Sequence, residues 1–101
     1  MSPLAYYATS PMSILIDDAI HRSKKPRAVL AAEIGINPNM VSMIKRGTHA
    51  MPCERVEAFA KALNIPVRTL IEAGIASYPD NQGWRAMGIV MRIRVADLLA
   101  A

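Results

Sequence analysis

The side chains of this 101-residue chain that could do chemistry are few, and most stand alone. His21 and His49 have no second ligand at metal spacing and read as surface histidines. Cys53 is the single cysteine, which excludes an internal disulfide and a multi-cysteine zinc site and fits a reducing compartment. One turn before Val56, it reads as a small core residue. Asp17-Asp18 reads as a complement to a helix N-terminal dipole, not as an acid pair. No GxGxxG, P-loop or GxSxG occurs, and neither does a nucleophile–base pair. The chain is therefore expected not to be an enzyme and to use no cofactor and no metal. The chemistry that does have spacing lies in one short run: Asn39, Met40, Ser42, Met43, Lys45 and Arg46. An Asn amide can bond both N6 and N7 of adenine, Arg can take guanine or a phosphate, and Met can pack on a thymine methyl.

The charge is placed to suit that reading. Twelve Lys and Arg against eight Asp and Glu give a net charge of +4. Between positions 13 and 51, Arg22, Lys24, Lys25, Arg27, Lys45 and Arg46 face only Asp17, Asp18 and Glu33, so three quarters of the excess lies there. A basic stretch of this kind fits an anionic partner, with a solvated face as the alternative.

The elements that must position these residues follow from composition and periodicity. With 52% apolar residues the chain can build one small core, and with only five aromatics the aliphatics and seven Met must fill it. No apolar run nears the roughly 20 residues that span a bilayer. The start of the chain has no basic and apolar signal pattern, so no membrane partner and a cytoplasmic location are expected. Residues 1–10 have no period and read as a flexible arm. Ser10-Pro11 is a cap followed by a first-turn proline and predicts a helix over 11–23, with Leu15, Ile16, Ala19 and Ile20 at helical spacing. Lys24, Lys25 and Pro26 break it. Lys24-Lys25 reads equally as a phosphate clamp or a solvated turn. A second helix is predicted from Arg27 to Ile34, stopped by Gly35, and a third from Pro38 to Arg46, capped by Asn37 and stopped by Gly47. A turn this tight makes the second and third helices cross steeply. Two more helices are predicted over about 52–63 and 66–77.

The tail, 78–101, opens with a turn cluster at Pro79–Gly83. Beyond it Trp84, Met87, Met91, Val95 and Leu98 form one helical stripe, while Ile89, Met91, Ile93 and Val95 alternate as a strand would. Length and the closing Ala-Asp-Leu-Leu-Ala-Ala favour a helix. The expectation is an all-α fold: five packed helices over 11–77 and a C-terminal tail helix that makes a dimer. On a wheel, Val41 and Ile44 set the buried side of the third helix. Asn39, Ser42, Met43 and Arg46 fall opposite, with Met40 and Lys45 at the edges.

Residues 27–47, RAVLAAEIGINPNMVSMIKRG, resemble the helix-turn-helix of the lambda-repressor-like (Xre-type) DNA-binding regulators. The carriers are Ala31 in mid-helix, Gly35 in the turn, Val41 and Ile44 in the next helix, and Gly47 at its end. VEAFAKALNIPVRTLIEAG resembles the family's fourth and fifth helices, so the resemblance covers about residues 12–76. It implies base contacts from Asn39, Met40 and Met43, to which the helical wheel adds Ser42. It implies phosphate contacts from Arg27, Thr48 and His49; Lys24, Lys25, Asn37, Lys45 and Arg46 are expected as further phosphate contacts. Three positions depart from the pattern. Lys45 stands where many members have Glu, which removes the usual acidic half of an ion pair and adds phosphate affinity. Arg27 stands where many have Gln, and Pro38 offers no side-chain donor.

The function expected from this is a sequence-specific, double-stranded-DNA-binding transcriptional regulator. It would be a repressor or autorepressor of phage or antitoxin type, working as a homodimer on a palindromic operator, with a protein antagonist or toxin as a further partner. Trp84, Ile89, Val90, Ile93 and Leu98 are expected at the dimer interface. The competing class is a protein-interaction adaptor that uses the apolar tail without DNA.

Overall fold

Short local signals begin and end almost every helix in the computed structural model, which describes residues 9–91. Ser10 Oγ accepts the Ser13 N–H at 3.2 Å and Pro11 follows it, so α1 runs Pro11–Ser23. It ends where Lys24 turns left-handed at φ 57°. Pro26 is extended and opens α2 (Arg27–Ile34). Gly35 then takes φ 84°, and its N–H, like that of Ile36, returns to the Ala31 carbonyl. Asn37 Oδ1 accepts the Asn39 N–H at 2.7 Å, capping α3 (Pro38–Arg46). A Schellman closure ends it: Gly47 N–H bonds Ile44 O, and Thr48 N–H bonds Met43 O.

Two starts differ from the sequence expectation. The helix predicted from 52 opens instead as a single 3-10 turn at Cys53–Arg55, and α4 proper is Val56–Leu63. Arg55 N–H bonds the Pro52 carbonyl three residues back, and Arg55 at φ −103° keeps that turn out of the α ladder. After the left-handed Asn64, Pro66 stays extended, so α5 is Val67–Ser77 and begins one residue later than predicted. In the tail, Asn81 Oδ1 accepts the Trp84 N–H at 3.0 Å and starts α6 (Gln82–Val90), taking Gln82 and Gly83 out of the predicted turn. Among the described residues the chain is all-helical, with six α-helices and no strand. The expected tail residues Ile93, Val95 and Leu98, and most of the expected N-terminal arm, lie outside the described residues.

One core joins these elements. Met12, Ile16 and Ala19 of α1, Leu30 and Ile34 of α2, Ile44 of α3, Phe59 of α4, and Leu70 and Ile75 of α5 share a single buried cluster. α1 packs on α3 and α5, α2 on α3 and α4, and α6 on α5. The largest side chain in that cluster is Trp84, which is 0% exposed. Its placement corrects the expectation that Trp84 faces a partner subunit. Gly74 on α5 leaves a notch that the indole fills, and a Cβ there would fall 2.8 Å from Cε2 and nearer still to other ring atoms. The ring reaches further. Trp84 Nε1 donates to Met51 O at 3.2 Å, while Met51 N–H donates to Tyr78 Oη at 3.0 Å. Burying an indole removes about 150–250 Å² from water, of order 4–6 kcal/mol before conformational entropy is counted. α6 is therefore part of the same core as α1–α5, and not an appended arm.

Candidate nucleic-acid interface

The corner made by α2 and α3 is rigid because its inner residues are small or tightly packed. Ala31, Val41 and Ile44 are each buried to within 2%. Ala31 lets the two helices approach, and Val41 and Ile44 lock α3 onto α1 and α2. The side of α3 turned away from them is polar and accessible. Asn39 is exposed, and its Nδ2 contacts Met43 Sδ at 3.8 Å, so the two side chains expected to read bases lie against each other. Ser42 and Met43 are half-buried. Met40 is half-buried too, but it packs against the core cluster, so its thioether is directed inward more than the wheel suggests.

Arg27, the first residue of α2, crosses to the middle of α3: its Nη1 donates to Ser42 Oγ at 2.7 Å. Lys45 lines the same cleft, a cavity of about 280 Å³ shared with Ile20, Arg27, Val41 and Ser42. Lys45 Nζ also lies 3.8 Å from Asp17 on α1. Lys45, where the resemblance expects a glutamate, is thus the cation of an ion pair with α1. Asp17 and Asp18 sit in the middle of α1, whose first turn holds no acid, which corrects their reading as a dipole complement. Asp17 faces Lys45, and Asp18 holds Arg22 Nε at 2.9 Å one turn on.

Other expected phosphate ligands divide into two groups. Arg46 and His49 are exposed at the end of α3 and in the loop after it, and Lys24 is exposed at its left-handed corner. Asn37 uses Oδ1 for its cap, which leaves Nδ2 as a donor. Thr48 is tied to α3 through Oγ1, which donates to Met43 O at 3.1 Å. Lys25 does not join the set. Its Nζ bonds Glu33 Oε2 and the Ala62 carbonyl, both at 3.0 Å, and lines a different cleft with Glu57 and Lys61. Lys25 is thus turned toward α4, which supplies an acceptor that the local sequence does not show.

Two features escaped the sequence reading. The loop after α3 is held at Met51 by Tyr78 and Trp84. A lone tryptophan in so small a chain was the available signal for a core anchor. The second is Arg55, whose guanidinium lies over Gly35, and no local pattern links those positions.

No group of three His, Cys, Asp or Glu among the described residues could hold a metal ion. Burial, and then the neighbouring Glu54 carboxylate, push the Cys53 thiol above its ordinary value, with a backbone hydrogen bond opposing them. The thiol therefore holds its proton to higher pH than an ordinary cysteine. No helix among the described residues is long and apolar enough to cross a membrane. The arrangement can offer an elongated anion, and the base edges beside it, a set of hydrogen-bond donors on a fixed helix. No family model, no curated protein and no solved structure matches this chain.

Proposed function

We propose that this chain is a sequence-specific regulator of the lambda-repressor-like type, which binds double-stranded DNA with α3 in the major groove. The observation that carries the reading is the 2.7 Å bond from Arg27 Nη1 to Ser42 Oγ. It ties the start of α2 to the middle of α3 and sets a guanidinium on Ser42, in a cleft that Lys45 also lines, while Asn39 and Met43 lie against each other on the same helix. In this reading Asn39 and Met43 meet base edges, and the Ser42 hydroxyl proton is free to donate to a base or a phosphate. Arg27, Lys45, Arg46, Asn37, Thr48, His49 and Lys24 take backbone oxygens.

A single corner of this kind reads only a few base pairs, so two copies act together on a partly palindromic operator, their α3 helices roughly 34 Å apart. Val90 of α6, 81% exposed, borders an apolar groove of about 310 Å³ walled by Val56, Val67, Ile71 and Met87, and Ile89 next to it in the chain is 72% exposed. This is the face assigned to the second copy, and to a protein antagonist where one exists. The same groove favours the adaptor reading, in which a protein occupies it and DNA plays no part.

Gel shifts with the DNA upstream of its own gene, run at two salt concentrations, separate the readings. Binding that weakens steeply with salt is expected. A flat response, or no shift at low salt, rejects the regulator and leaves the adaptor.

A further inference from the structure

Among the cations of the described residues, most of those near the α2–α3 corner already have a partner. Arg22, Lys25 and Lys45 face carboxylates, and Arg27 bonds Ser42. Further off, Arg68 and Arg85 donate to the carbonyls of Met91 and Pro79. Arg55 is different. It is exposed, and its guanidinium takes part in no hydrogen bond or ion pair among the described residues, yet that group does not trail in solvent. It lies over the turn that joins α2 to α3, with Nη1 3.2 Å from where a Cβ on Gly35 would stand.

We infer that Arg55 is a second backbone clamp, held on the turn to take a DNA phosphate; the inference rests on the DNA-binding reading above. A guanidinium has five N–H donors in a planar fork and is weakly hydrated, so it matches a phosphate and gives up its water at little cost. No hydrogen bond joins those donors to the turn. The 3-10 turn Cys53–Arg55 projects the side chain from the start of α4, so the core fixes the base of the clamp. Glycine serves two ends here: it accepts φ 84°, and it leaves room for the guanidinium against the backbone. Gly35 leads within two residues to the Asn37 cap, so Arg55 meets the corner at the N-terminal end of α3, whereas Arg27 meets it at mid-helix. The two arginines therefore address two different phosphates and hold the helix in register from separate points. A phosphate contact carries no sequence information, so Arg55 contributes affinity and orientation without preference for any base.

The test uses the full chain and a mixed-sequence duplex several helical turns long, with binding followed by fluorescence anisotropy across a salt series. Arg55→Ala should make the slope of log affinity against log salt shallower by about 0.9, the value of one phosphate contact. Arg55→Lys should retain most of the slope, and the thermal midpoint of Arg55→Ala should stay at the wild-type value. If wild-type binding is salt-dependent and Arg55→Ala keeps the wild-type slope, the clamp is refuted while the DNA reading stands. A lowered midpoint with that unchanged slope would make Arg55 only a cover for the turn. If the wild-type chain binds no duplex at low salt, the DNA reading and the clamp fall together.

Discussion

Trp84 occupies the space that a side chain on Gly74 would need, and this contact makes α6 a continuation of the core. Helical glycine costs up to about 1 kcal/mol relative to alanine, so Gly74 stands in α5 against local preference. Gly74→Ala should destabilise the fold by about 1–3 kcal/mol through overpacking, despite the better helix former. Trp84→Ala should cost about 3–5 kcal/mol. Urea denaturation of both variants measures this, and a neutral Gly74→Ala would mean that the indole can move aside.

The same contact predicts a spectroscopic result. Trp84 is the only tryptophan and is 0% exposed within its own chain. Its emission should be blue-shifted, protected from iodide, and unchanged on dilution through any dimer–monomer transition. A red shift on dilution would return the indole to a subunit interface.

The proposed readout by α3 predicts that single substitutions have different effects. Asn39→Ala and Met43→Ala should relax base preference by roughly 1–3 kcal/mol at individual base pairs, whereas Arg27→Ala should weaken all sequences alike. Binding to a panel of single-base operator variants decides this. An unchanged preference in Asn39→Ala, together with an altered one in Arg27→Ala, would mean that the helix lies the other way.

Self-association is tested best without removing α6, because a chain cut at Pro79 loses Trp84 from its core. In the full chain, Ile89→Glu with Val90→Glu places charge on two exposed sites and leaves the buried cluster alone. Light scattering at micromolar concentration should show a dimer for the wild type and a monomer for the double variant. A dimer that persists would place the interface elsewhere.

The thiol of Cys53 gives a pH dependence. Its folded-state value is raised, so the unfolded chain loses this proton first as pH rises. The contribution of Cys53 to stability is complete below the ordinary thiol value and declines as pH climbs from there through the folded-state value. Denaturation series at neutral and alkaline pH should show a decline that Cys53→Ser lacks. An identical decline in both proteins would assign it to other groups.

Much of this molecule is written in short-range chemistry. Ser10-Pro11, Gly35, Asn37-Pro38 and Gly47 each act within about one helical turn, so the ranges 11–23, 27–34 and 38–46 could be read directly from the chain. The polar side of α3 was legible for the same reason, since a helix converts spacing into direction. What packing decided lies between positions far apart in the chain. The Ala62 carbonyl draws Lys25 away from the corner, Gly74 admits Trp84, and Gly35 receives Arg55. In each case a residue type that is ambiguous on its own (a surface lysine, an apolar tail residue, an arginine at a helix start) takes its place from an acceptor or a gap on another element. Local periodicity has no information about such partners, because they come together only when the helices pack.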